Sequence, residues 1–120
     1  MRATPSLGQF EQVVLAAILS LGEENAYGVT IHARVQALSA PKPVSLGAVY
    51  VTLDRLEDKK LVTSSLSSPT AERGGRAKRC YRLEAAGERA LGEALDAARR
   101  VSDAVSQAWG RRRWKHAHQH

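Results

Sequence analysis

The sequence predicts a mainly α-helical fold with one small β-hairpin and a long C-terminal helix. Three observations carry that prediction. Apolar residues recur three and four apart in successive segments between Leu7 and Leu56, the period of helices that each bury one stripe. A short segment, Leu61–Leu66, is separated from a second one, Lys78–Leu83, by a polar stretch that holds Pro69 and Gly74-Gly75; this is the pattern of two strands and a loop. From Glu84 to Trp109 the helical period then returns without interruption.

Each element follows from local chemistry. Ser6-Leu7-Gly8-Gln9 fits a capping box, so the first helix is expected over 7–21, with Leu7, Phe10, Val13, Val14, Ala17, Ile18 and Leu21 inward and Gly22 as its stop. A second helix is expected after Asn25, with Tyr27, Ile31, Val35 and Leu38 on one face, ending where Pro41 and Pro43 cannot continue the backbone ladder. Ser45 suits the N-cap of a third helix. There Leu46, Val49, Leu53 and Leu56 form the buried stripe, and Gly47, Tyr50, Val51, Asp54 and Arg55 point elsewhere. In the last helix Leu91, Leu95, Ala98, Val101, Val105 and Trp109 make a stripe with no partner in so small a domain; self-association is the simplest use for it. Gly110 is placed as its stop, followed by a polar, mobile tail.

Charge points to a polyanionic partner. Lys and Arg number 18 against 12 Asp and Glu, for a net charge of +6 over 120 residues. Half of the cations fall in two runs, residues 73–82 and the segment after Gly110. Other classes are disfavoured. The apolar run Val13–Leu21 is too short to span a bilayer. Cys80 is the only cysteine, so no intrachain disulfide can form, which fits the reducing cytoplasm. No nucleophile, base and orienting group can be assembled, and no phosphate-binding glycine loop precedes a helix; neither an enzyme nor a cofactor is expected. His116, His118 and His120 alternate in the tail, where a metal site would carry a heavy ordering cost, so no metal is expected. His32 has no evident partner.

A helix with a small outer face beside a basic hairpin is the arrangement by which a winged helix-turn-helix domain reads duplex DNA. The chain therefore divides into a winged helix-turn-helix domain over 6–83, a dimerisation helix over 84–109 and a basic tail over 110–120. DNA contact is assigned to Ser45, Gly47, Ala48, Tyr50 and Arg55 on the third helix and to Arg73, Gly75, Arg76 and Lys78 in the wing. Gly47 and Ala48 lack bulk, so the helix start can approach phosphates and offer its amides. Arg55 has the reach to read guanine, or else to take part in surface ion pairs. The wing cations suit phosphates or a narrow minor groove. A homodimer of such domains expects half-sites about 34–36 Å apart on an inverted repeat of double-stranded DNA. A winged helix that binds a partner protein instead is the competing reading; the basic wing argues against it. An RNA-binding reading comes third, because it needs exposed stacking aromatics, and aromatics are only 5% of the chain.

The same residues resemble the PadR family of bacterial transcriptional regulators. Leu7-Gly8 with Glu11 and Leu15, then Ala26-Tyr27-Gly28 and Ile31, is similar to that family's opening. Leu46-Gly47-Ala48-Val49-Tyr50 with Leu53, Leu56 and Leu61-Val62 is similar to its recognition-helix segment. Gly74-Gly75-Arg76-Ala77-Lys78-Arg79, followed by Tyr81-Arg82-Leu83 and Ala86-Gly87, is similar to its wing and wing exit. The resemblance covers about residues 6–109, and the single C-terminal helix matches the shorter branch of the family. Cys80 departs from it, where a second aromatic is common beside Tyr81. Repression is expected over activation, because the chain has no spare domain for recruiting polymerase. Trp109 closes the apolar stripe of the last helix as an interface anchor; the resemblance implies the alternative, a ring on which a small aromatic effector stacks.

Overall fold

The computed structural model describes residues 7–67 and 77–117, with side chains through residue 114. In chain order the elements are α1 (Gln9–Leu21), α2 (Gly28–Ser39), α3 (Leu46–Asp58), β1 (Val62–Leu66), β2 (Arg79–Leu83) and α4 (Ala85–Ala117). The strands form an antiparallel hairpin in the register Val62↔Leu83 through Leu66↔Arg79. The mainly α fold with one hairpin and a long last helix is as expected.

The core lies where the three helices meet the hairpin and the start of α4. It contains Val14, Leu15 and Ile18 of α1, Ile31 and Val35 of α2, Val49, Leu53 and Leu56 of α3, then Leu61, Val62, Tyr81, Ala90 and Leu91. Two stripes are narrower than expected. Leu46 and Leu38 are 40% and 54% exposed, because each stands at a helix end beyond the edge of the core. Thr52 is buried in α3 in their place.

Helix ends show how local and tertiary signals combine. The first cap shifts inward from the expected one: α1 starts at Gln9, and the Gly8 amide donates to the Glu11 carboxylate at 2.9 Å. Ser6 lies outside the described residues. Burial raises the Glu11 pKa, but the Lys59 ammonium, 2.7 Å away, and the Gly8 amide outweigh it and hold the carboxyl below its ordinary value. The α3 exit is a Schellman turn: Lys60 N–H donates to Glu57 and Leu61 N–H to Leu56, at 3.0 and 2.9 Å. Lys60 carries a φ of 62°, and Leu61 drops into the core beside Leu56.

The loop between α2 and α3 is clamped by two side chains of α2. His32 Nε2–H donates to the Val44 carbonyl at 2.7 Å. Gln36 donates to the Lys42 carbonyl and accepts from Val44 N–H, both at 2.8 Å. His32 thus has a partner that the sequence reading did not see, in a loop 12 residues away. The clamp fixes the approach to Ser45, whose hydroxyl accepts from Ala48 N–H at 3.1 Å as the expected N-cap.

The last helix corrects two expectations. Gly110 does not stop it; α4 runs 33 residues to Ala117, about 50 Å at 1.5 Å per residue. One glycine inside a helix costs only about 1 kcal/mol, and Ala108 and the run Arg111–Arg113 around it are good helix formers. Residues 111–117 are therefore helical rather than part of a mobile tail. Leu91 is 4% exposed and belongs to the protomer's own core, so the free stripe begins at Leu95. From there every described side chain of α4 is exposed, Ala98 included, with Leu95, Val101, Val105 and Trp109 at 50%, 66%, 39% and 53%. No helix among the described residues is long and apolar enough to cross a membrane.

Candidate nucleic-acid interface

Three elements converge on one face: the start of α2, the outer side of α3 and the base of the hairpin. They border a groove of 420 Å³ lined by Tyr27, Gly28, Val29, Tyr50, Asp54, Lys78, Arg79 and Tyr81.

Tertiary hydrogen bonds hold these parts together. Tyr81 N–H donates to the Ala26 carbonyl at 2.8 Å, and Tyr27 pairs with Cys80 as an isolated antiparallel bridge. The residues just before α2 thus extend the hairpin's edge, which the sequence reading did not anticipate. From the other side, Ser64 Oγ–H donates to Glu57 of α3 at 2.8 Å and accepts from the Arg79 guanidinium at 3.0 Å. Ser64 therefore ties the hairpin to α3, and Arg79 braces it from the paired strand. At the hairpin's open end Ser67 N–H donates to the Lys78 carbonyl at 2.7 Å, and Lys78 N–H donates to Ser67 Oγ at 3.1 Å.

The outer face of α3 is short-chained near its start. Ser45, Gly47, Ala48, Tyr50 and Arg55 are all exposed, as the DNA-contact assignment requires. A Cβ placed on Gly47 would have nothing within 4 Å. The chain's own packing therefore gives no reason for a glycine there, although alanine is the better helix former. Tyr50 is 43% exposed and leans across the groove onto Gly28. Val51, which the site assignment omitted, is 52% exposed at the centre of the face. Its signal was present in the sequence, as the one aliphatic residue off the buried stripe. Arg55 lies on the opposite flank, where its charge helps hold Glu11 ionised; no ion pair among the described residues engages it.

In the wing, Lys78 is described and half-buried, and its ammonium lies 4.2 Å from the centre of the Tyr27 ring. Arg73, Gly75 and Arg76 lie outside the described residues, as do His118 and His120. At the floor of the groove burial raises the Tyr81 pKa, with nearby Glu57 adding to it, so the phenol stays neutral at physiological pH.

Three helices followed by a two-stranded hairpin that is tied to the start of α2 and to α3 define a winged-helix protein. Comparison with known families narrows this. The family model described as "Transcriptional regulator PadR-like family" matches residues 17–93, and the chain belongs to that family. Solved structures agree on the fold. A PadR family transcription regulator from Clostridium difficile R20291 superposes with a TM-score of 0.66 at 21% identity, over 85% of this chain and 99% of that one. A PadR-like transcription factor from Bacteroides fragilis gives 0.64 at 26% identity, over 84% and 90%. The Aeropyrum pernix ORC1 protein, solved in complex with DNA, gives 0.58 at 27% identity over 78% of this chain but 26% of that one. Comparison with curated proteins gives no match.

Proposed function

We propose that this PadR-family chain is a cytoplasmic, dimeric repressor that binds an inverted repeat in promoter DNA. The observation that carries the reading is the outer face of α3: exposed, small at Gly47 and Ala48, with open space where a Gly47 side chain would stand, and bordered by the cations of the wing base. The amides of the first turn would meet phosphates, Val51 would meet a thymine methyl, and Arg55 would read a guanine edge. Arg73 and Arg76, by residue type and place in the sequence, would add phosphate contacts at the wing tip, which position the protein more than they read sequence.

Dimerisation is supported by two apolar surfaces left uncovered in one protomer. One is the α4 stripe of Leu95, Ala98, Val101, Val105 and Trp109; the other is a groove of 860 Å³ between α1 and the end of α2, lined by Phe10, Val13, Leu38 and Val44. Trp109, half exposed near the end of the stripe, offers the surface on which a small aromatic effector would stack. Such an effector would release DNA only by binding one spacing of the two recognition helices better than the other.

A titration across a salt series tests the proposal, with the duplex upstream of the protein's own gene set against a scrambled duplex. The expected result is preference for the native duplex, with affinity falling about 10³–10⁵-fold between low and moderate salt if ~6–10 phosphates are engaged. Arg76→Ala should weaken binding to both duplexes and flatten the slope. Absence of binding at low salt would refute the reading and favour a protein partner.

A further inference from the structure

Lys78 immediately precedes β2. Its backbone is fixed by two hydrogen bonds to Ser67, while its side chain reaches back across the groove to α2. A lysine at such a place ordinarily samples many rotamers, and confining it on binding opposes association. Here the ammonium lies 4.2 Å from the Tyr27 ring centre, within the range where a cation is attracted by an aromatic face. The backbone that carries the ring is fixed. Tyr27 is half-buried at the N-cap of α2, its N–H donates to Thr30 Oγ at 3.0 Å, and its backbone bridges to Cys80. Gly28 and Tyr50 stand beside it on the same groove.

From these contacts we infer that Tyr27 is a positioning residue for DNA binding: it acts through Lys78, holding that cation over the groove between α2, α3 and the wing, where a backbone phosphate of the duplex is received. The inference rests on the DNA-binding reading above. It makes the face of the ring, and not the phenol hydroxyl, the functional part of Tyr27. It also makes the loss of Tyr27 invisible once Lys78 is gone.

The test is a double-mutant cycle on one duplex, with Tyr27→Leu, Tyr27→Phe, Lys78→Met and the Leu/Met double variant of the full chain. Tyr27→Leu should weaken binding about two- to five-fold per protomer, the scale of a partly exposed cation–ring contact. Tyr27→Phe should bind like the wild type. The double variant should bind no more weakly than Lys78→Met alone. Lys78→Met should lower the logarithmic salt slope by about 0.9 per protomer, whereas Tyr27→Leu should leave it nearly unchanged because the charge is retained. Additive losses, a Tyr27→Phe as weak as Tyr27→Leu, or a Tyr27→Leu that binds as well as or better than the wild type would each overturn the inference. Should Tyr27→Leu not fold, the NMR spectrum of the free wild-type protein decides. The Lys78 ε-protons should lie upfield under the ring current, and ordinary lysine shifts would overturn the inference. Wild-type protein that binds no duplex would instead bring down the DNA reading itself.

Discussion

Tyr50 of α3 rests the hydroxyl end of its ring on the Cα of Gly28, the first residue of α2, in the volume that a Cβ there would fill. Two separated sequence features, Ala26-Tyr27-Gly28 and Val49-Tyr50, are thus one contact. Gly28→Ala must move Tyr50, and it can, because the ring is 43% exposed and turns about its own rotamers. The helical gain of alanine offsets the displaced contact, so stability should change by no more than about 1 kcal/mol. DNA binding should nevertheless fall by about 1 kcal/mol, roughly five-fold. Thermal melts and anisotropy titrations of the same preparation check both halves.

Gly47 behaves in the opposite way, since the space around its missing Cβ is open in the free protein. Gly47→Ala should raise stability by up to about 1 kcal/mol. Gly47→Leu should fold equally well yet lose at least about ten-fold in duplex affinity, or 1.4 kcal/mol. Retention of full affinity by the leucine variant would remove α3's start from the interface.

Gly87 meets backbone instead of a movable ring. A Cβ there would overlap the Leu61 carbonyl, which is held in place by Glu84 N–H at 2.9 Å and by the buried Leu61 side chain. Gly87→Ala should therefore cost about 1–3 kcal/mol, the range for overpacking a fixed site, measured by denaturant unfolding. The loss should appear without DNA and without any change in association.

Neighbouring leucines of α4 should separate folding from dimerisation. Leu91→Ala removes a core side chain and should destabilise the protomer by about 2–5 kcal/mol. Leu95→Glu places a charge on the uncovered stripe and should leave the protomer folded while producing monomers in sedimentation. A Leu95→Glu protein that remains a dimer would contradict the stripe's assignment as the interface.

What was legible in the sequence followed from short-range chemistry. Ser45 caps α3 because its hydroxyl needs only an amide three residues on, and the stripe Val49, Leu53, Leu56 needs only the helical period. The two apolar runs around the Gly-Gly stretch gave the hairpin for the same reason. Features made by contacts distant in sequence were not legible. His32 and Gln36 gained their roles from a loop that folds back on α2, Tyr27 from a strand more than 50 residues later, and Leu91 its burial from the packing of the start of α4 on the core. Gly110 was over-read, since a glycine's local preference is weaker than the propensity of the residues around it. Ser45, Gly47, Ala48 and Tyr50 are exposed, and their contact with DNA is a proposal. The tip arginines lie outside the described residues, and their role rests on sequence alone.

The central claim is that the α3 face and the wing of a dimer read one duplex. Selection of bound sequences from a pool of random duplex DNA tests it most directly. The account predicts enrichment of an inverted repeat whose half-sites lie about one helical turn apart, ~34–36 Å centre to centre, and loss of that enrichment in Leu95→Glu. A pool that stays random after repeated rounds, or a single half-site enriched equally by the wild type and Leu95→Glu, would contradict it.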